Sequence, residues 1–189
     1  MSLGKGGADL SKVVVRPARK NDAVALGAFF NRAWKEAGPG ALGFTGATDD
    51  AIKTISSEEF LTQRLSSPKL RIVLAEKDRE VLGFASVRAT GRREGELSGV
   101  VVLESFTGVG LGSKLVRKAC EVATKMGLDH LSVKTETANQ RAIAFYRKNK
   151  FTESGKATEK VGRVKVHVMV LERNCASAPK QGPRRTRPT

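Results

Sequence analysis

The chain has 189 residues, 40% of them hydrophobic, and carries 34 Lys or Arg against 19 Asp or Glu, a formal net charge of +15. This suits one globular domain with a core of its own, and it excludes a membrane span, since no apolar run nears the roughly 20 residues that crossing a bilayer takes. The eight Phe, one Trp and one Tyr do not interleave with the basic residues, so a base-stacking surface is not indicated, although a basic surface attracts anions in general, nucleic acid and phosphorylated cofactors among them.

Residues 1–11 read as a flexible lead, glycine-rich and polar, without the apolar run of a secretory signal. Residues 13–16 predict a first strand, stopped by Pro17. Asn21 or Asp22 caps a helix to about Ala37, with Val24, Leu26, Phe29, Phe30, Ala33 and Trp34 at helical spacing. Gly38 and Pro39 end it, and residues 40–48 read as a mobile loop. One or two short helices follow, the second capped by Ser57 with Phe60, Leu61 and Leu65 facing inward. Residues 71–76 and 81–89 predict a hairpin turning at Lys77-Asp78-Arg79-Glu80. Arg92 to Gly95 make the next turn, and residues 96–103 form a fourth strand. A helix over about 110–126 stops at Gly127. Residues 130–135 make a fifth strand, Ala138-Asn139 opens a helix to about Lys148, and residues 151–155 and 164–172 are the last two strands.

The expected fold is therefore α+β over residues 12–173, a mixed, mainly antiparallel sheet flanked by helices. Residues 174–189, with Lys180, Arg184, Arg185 and Arg187 and no acid, form a basic tail expected to be disordered. Cys120 and Cys175 lie far apart in sequence, the second within that tail, which argues neither for a disulfide scaffold nor for a zinc site and leaves a reducing cytoplasm as the default.

The fourth strand leads into the most informative stretch. Val100, Val101, Val102 and Leu103 are an apolar run. Glu104-Ser105-Phe106-Thr107 follow, and then Gly108, Val109, Gly110, Leu111, Gly112 and Ser113 open a helix. Glycines let backbone approach a ligand, and the free N–H groups of a first helical turn favour a phosphate or pyrophosphate. A dinucleotide fingerprint fails because its third glycine falls on Ser113, and a P-loop fails because the run ends Gly112-Ser113-Lys114. A second motif lies downstream: Asn139-Gln140-Arg141-Ala142-Ile143-Ala144-Phe145-Tyr146, then Lys150-Phe151.

Together these stretches resemble the GNAT N-acetyltransferases. That family's cofactor loop reads Arg/Gln-x-x-Gly-x-Gly/Ala, matched by Gly110 and Gly112 with Thr107 at the Arg/Gln position. Its later motif reads Asn-x-x-Ala-x-x-Phe/Leu-Tyr and then Gly-Phe, with Lys150 here in place of the glycine. The resemblance covers roughly residues 13–172. It implies acetyl-CoA as co-substrate, and no His, Cys or carboxylate spacing in the chain suggests a metal. It implies a gap between the fourth and fifth strands where peptide groups of Val100 and Val102 meet the pantetheine arm and polarise the thioester carbonyl, with Val101 counted beside them as cofactor-binding. It implies that the N–H groups of Thr107 to Ser113 hold the pyrophosphate, with Lys114 or Arg117 adding charge. Tyr146, the only tyrosine, would protonate the departing thiolate. Asn139 reads equally as a cofactor contact and as a helix N-cap.

A base must take the proton of the acceptor ammonium. Glu96 on the fourth strand, Glu104 at its end and Glu36 on the first helix are the candidates. His130 and His167 stand alone and read as structural. The acceptor is a primary amine, on a small molecule or on a peptide or protein, expected near residues 40–48 and the first helices. The basic surface disfavours a polycationic acceptor. A monomer or homodimer is expected. The competing reading, motivated by Thr107, Lys150 and the basic tail, is a catalytically inactive CoA-binding or nucleic-acid-associated module.

Overall fold

The computed structural model describes residues 10–37, 48–161 and 164–176. Seven strands form one sheet in the order β1-β2-β3-β4-β5-β7-β6. They are β1 (Val14–Pro17), β2 (Leu70–Lys77), β3 (Glu80–Ala89), β4 (Glu94–Val102), β5 (His130–Glu136), β6 (Thr152–Val161) and β7 (Val164–Asn174). Every pairing is antiparallel except β4 with β5. The helices among the described residues are α1 (Ala23–Ala37), α2 (Asp49–Ile55), α3 (Glu58–Ser66), α4 (Leu111–Lys125) and α5 (Gln140–Lys148). This is the mixed α+β fold expected from the sequence. Of the lead expected at 1–11, residues 1–9 lie outside the described residues, as do 40–47 of the loop expected at 40–48 and the tail from 177 onward. Leu10 departs from that expectation, packing against the core with its carbonyl accepting from Val13 N–H at 3.1 Å.

Pro17 is tolerated inside β1 because that strand is a sheet edge. Arg16 fastens it: its guanidinium spans Asp22 at 2.8 Å and Glu76 at 2.6 Å, joining β1 to β2 and to the turn before α1. The helix buries Ala23, Leu26, Phe29, Phe30 and Ala33, and its two Phe rings meet Phe84 of β3 edge-on or tilted. Val24, expected inward, is 62% exposed, because only the stripe at 23, 26, 29, 30 and 33 faces the sheet. Thr48 and Ser57 cap α2 and α3 as side-chain acceptors. On the opposite sheet face α4 buries Leu111, Leu115, Val116, Ala119, Val122 and Ala123. Gly83 of β3 lets it come close: a Cβ there would stand 3.1 Å from Leu115 Cδ1.

Two late elements differ from expectation. β6 runs to Val161 rather than stopping near Gly155. It is an edge strand whose residues 152–158 are exposed, so no apolar alternation announces it. β7 continues past Arg173, where the folded part was expected to end: Asn174 pairs with His130, and Cys175 N–H donates to the Asp129 carbonyl at 2.7 Å. That places Cys175 against Cys120. The neighbouring Cys120 thiol, with burial, pushes the Cys175 thiol up, and Thr124 Oγ1 lies within hydrogen-bond reach of both backbone carbonyls, at 3.0 and 2.9 Å. Sequence distance was a poor guide here, since β7 returns beside the α4–β5 connection.

The β4–β5 pairing positions the site. It spans only Glu94–Glu96 with His130–Ser132. Just beyond it the register of β4 against β3 shifts between Ser86 and Val87, leaving Ser98 as an extra residue. A bulge bends its strand and increases twist. From Leu97 onward β4 follows β3 alone, and β5 follows β7 alone.

Candidate active site

A gap thus opens between residues 97–102 of β4 and 133–136 of β5. Leu103 N–H donates to the Leu82 carbonyl on β3 at 2.9 Å. Peptide groups alternate sides along an antiparallel strand, so Val101 also turns to β3, while Val100 and Val102 turn their N–H and C=O into the gap. Val101, grouped with its neighbours in the sequence reading, is corrected on this point: its peptide belongs to the ladder and its side chain is buried.

The chain then makes a 3-10 turn at Glu104–Phe106, closed by Phe106 N–H to Leu103 C=O and Thr107 N–H to Glu104 C=O. Thr107 Oγ1 leans on the Leu103 carbonyl at 3.5 Å, so this side chain serves its own turn. Gly108 and Gly110 have φ of +83° and +90°, and a Cβ at either would meet nothing within 4 Å. Both therefore supply backbone shape beside open space. The first helical bond of α4 is Lys114 N–H to Gly110 C=O at 3.1 Å. The N–H groups of Leu111, Gly112 and Ser113 have no acceptor among the described residues, and no side chain caps the helix. Free donors at the positive end of a 15-residue helix favour a phosphate group. Leu111 contributes backbone only, because its side chain is core, and Val109 is half-buried. Gly112 has another reason to be glycine: a Cβ would sit 3.1 Å from the Phe145 ring.

That contact brings α5 onto the start of α4. Asn139 caps α5, its Oδ1 accepting from Ala142 N–H at 3.0 Å, so the cap role is realised and its amide nitrogen stays exposed. Tyr146 is 8% exposed, its ring edge-on to Phe145 and Phe151. The hydroxyl has no hydrogen bond to any described residue. No described side-chain polar atom is both sealed from solvent and unpartnered, so this hydroxyl reaches the surface. Burial pushes its pKa up to about 12, which keeps it a proton donor at neutral pH. Lys150 occupies the motif's glycine position with φ of +65°, so the left-handed turn is kept by a residue that adopts it at a cost.

The carboxylates separate by surroundings. Glu96 lies at the closed end of the gap, opposite Ser132, and is ion-paired with Arg88 across the β3–β4 ladder. The Glu104 side chain is exposed, and its backbone N–H donates to Glu36 Oε2 at 3.3 Å. Glu36 is itself held by Arg32, one turn earlier on α1, at 2.7 Å; its reach to Glu104 is the part no local pattern signals. His130 starts β5, at the end away from α5, and His167 Nδ1 lies 3.1 Å from Thr158 Oγ1. No metal-holding group of His, Cys, Asp and Glu occurs among the described residues. A depression lined by Arg92, Arg93, Glu94, Asp129 and His130 opens at the N-terminal ends of β4 and β5, away from the glycine loop, and its Arg93 and Asp129 pair with each other.

The model of the acetyltransferase (GNAT) family matches residues 42–151. An uncharacterized N-acetyltransferase of Mycobacterium tuberculosis is 28% identical over 141 residues, covering 75% of this chain and 90% of the relative. The crystal structure of a GNAT-family acetyltransferase from Streptococcus pneumoniae superposes with a TM-score of 0.68 at 28% identity, over 86% of this chain and 99% of that one. YncA of Salmonella typhimurium, a putative acetyltransferase solved with acetyl-CoA, has the same fold, with a TM-score of 0.61 at 21% identity over 92% and 99% of the two chains.

Proposed function

The chain belongs to the acetyltransferase (GNAT) family, and from that premise we propose how its own residues carry acetyl-CoA-dependent N-acetylation, the direct transfer of an acetyl group to a primary amine. One observation carries the reading: N–H groups at the start of α4, unclaimed by any described residue, adjoin a sheet gap into which Val100 and Val102 turn peptide groups that no described strand pairs. The donors of Gly108 to Ser113 hold the pyrophosphate of acetyl-CoA. The peptide groups of Val100 and Val102 hold the pantetheine arm and polarise the acetyl carbonyl, stabilising negative charge on its oxygen as the amine adds. Glu96 takes the ammonium proton through water. The amine nitrogen then bonds to the acetyl carbon, the carbon–sulfur bond breaks, Tyr146 gives its phenolic proton to the departing thiolate, and the surplus proton left on the nitrogen passes through water to restore the phenol.

The acceptor is a primary amine, on a small molecule or a peptide or protein, approached from the side of α1 and α2. The basic surface, with a net charge of +15, favours neutral or anionic acceptors over polycations. A reducing cytoplasm is the proposed compartment, and a monomer or homodimer the proposed assembly. Within the described residues no helix is long and apolar enough to cross a membrane. The left-handed backbone at Lys150 removes one motive for the inactive-module reading, because that position keeps the motif's conformation without its glycine.

Tyr146→Phe tests the assignment. Acetyl-CoA affinity measured by calorimetry should stay within about twofold, while turnover read as free thiol falls by about a hundredfold or more, the usual yield of a positioned general acid. Wild-type turnover in the variant would transfer the proton donor's role to water or another group.

A further inference from the structure

We infer that Glu36 is a positioning residue that sets the entry of the acetyl-CoA loop from a different element, the last turn of α1. The inference rests on the loop reading given above. Glu36 Oε2 accepts from Glu104 N–H at 3.3 Å, and Glu36 Oε1 accepts from Arg32 Nε at 2.7 Å. Arg32 also bridges to Glu80 at the β2–β3 hairpin, and the Glu36 hydrogen bond raises its pKa. Trp34 Nε1 donates to Asp49 Oδ1 at 2.8 Å, joining the same turn of α1 to α2. The end of α1 is thus braced against two neighbouring elements, and from that brace one carboxylate reaches the cofactor loop.

The bond is placed where orientation matters. Glu104 follows Leu103, whose N–H is fixed to Leu82 and whose C=O accepts Phe106 N–H at 2.9 Å. The Leu103–Glu104 peptide is therefore held at its carbonyl by the 3-10 turn and at its N–H by Glu36. This peptide joins the segment that presents Val100 and Val102 to the segment that presents the phosphate donors. Glu36 fixes the angle between the two. A carboxylate paired to Arg32 and bonded to a peptide N–H is occupied at both oxygens, which suits support better than proton abstraction.

The experiment is a series at one position, Glu36→Ala, Glu36→Asp and Glu36→Gln. It reads acetyl-CoA affinity by calorimetry, the kinetic constants, and hydrogen exchange at the Glu104 amide. The parent chain is expected to bind acetyl-CoA. Ala, with no acceptor, and Asp, one methylene short of the N–H, should weaken binding about five- to tenfold, the scale of one charge-assisted hydrogen bond in partly exposed surroundings. Both should raise KM for acetyl-CoA, leave kcat at saturation within about twofold, and speed Glu104 amide exchange. Gln, which keeps the length and an oxygen, should restore affinity to within about twofold. The Asp and Gln variants keep the test alive if the Ala variant does not fold. Wild-type affinity in the Asp variant would overturn the inference. So would a Gln variant that binds normally but loses turnover and the acidic limb of its pH profile, since that is the signature of a base. Failure of the parent chain to bind acetyl-CoA would overturn the loop reading first, and this inference with it.

Discussion

The two ends of β4 are built from the same kind of strand and do opposite things. At Glu94–Glu96 the strand is paired on both sides, to β3 and to β5, and every peptide group is spent on the sheet. At Val100–Val102 it is paired on one side only, and alternate peptide groups are left for a ligand. Ser98, the extra residue between them, separates the two regimes. A sheet makes a binding site here by failing to pair, and the failure is tolerable because the far ends of both strands stay anchored. The glycines follow the same division. Gly95, at the closed end, is needed for packing, since a Cβ would lie 2.8 Å from Leu128 Cδ1 and 2.9 Å from Leu131 Cδ2. Gly110, past the open end, is needed for its backbone, since a Cβ there meets nothing.

That contrast is breakable with two alanines. Gly95→Ala should cost about 1–3 kcal/mol of stability through overpacking, measured by denaturant unfolding, and leave acetyl-CoA affinity of the folded protein unchanged. Gly110→Ala should do the reverse: affinity down about tenfold as the loop relaxes from its left-handed geometry, with a stability loss of at most about 1–2 kcal/mol. Equal behaviour of the two variants would erase the distinction between ends. A smaller effect sharpens it. Lys150→Gly, at the left-handed residue after α5, should raise stability by about 1 kcal/mol, seen as a higher Tm, without altering turnover. A fall in stability would mean that the lysine side chain supplies more than its backbone strain costs.

Much of this was legible in the sequence, for identifiable reasons. The apolar run Val100–Leu103, the glycines after it and the stripe of α4 are local signals, and each appears where its local physics requires. The Asn139-to-Tyr146 motif was legible as a motif, and the structure adds why its asparagine comes first: it caps the helix. What the sequence concealed is nonlocal. Val24 is apolar and at near-helical spacing, yet nothing local tells which stripe of α1 meets the sheet. Past Gly155, β6 shows no apolar alternation, so only its pairing with β7 defines how far it runs. Gly112 looks like its two neighbours in the loop until Phe145 arrives from α5. The Glu36–Glu104 bond spans 68 positions, and the Cys120–Cys175 contact depends on where β7 ends. The bulge at Ser98, on which the gap depends, has no signature beyond small residues in a strand.

The most direct test of the account is an amide-resolved NMR titration of the protein with acetyl-CoA. The account predicts that the amides of Val100, Val102 and Gly108 to Ser113 shift together, while those of Glu94 to Glu96 and Val101 stay near their free positions. Shifts concentrated instead around Arg92, Arg93, Asp129 and His130, at the closed end of β4 and β5, would contradict it.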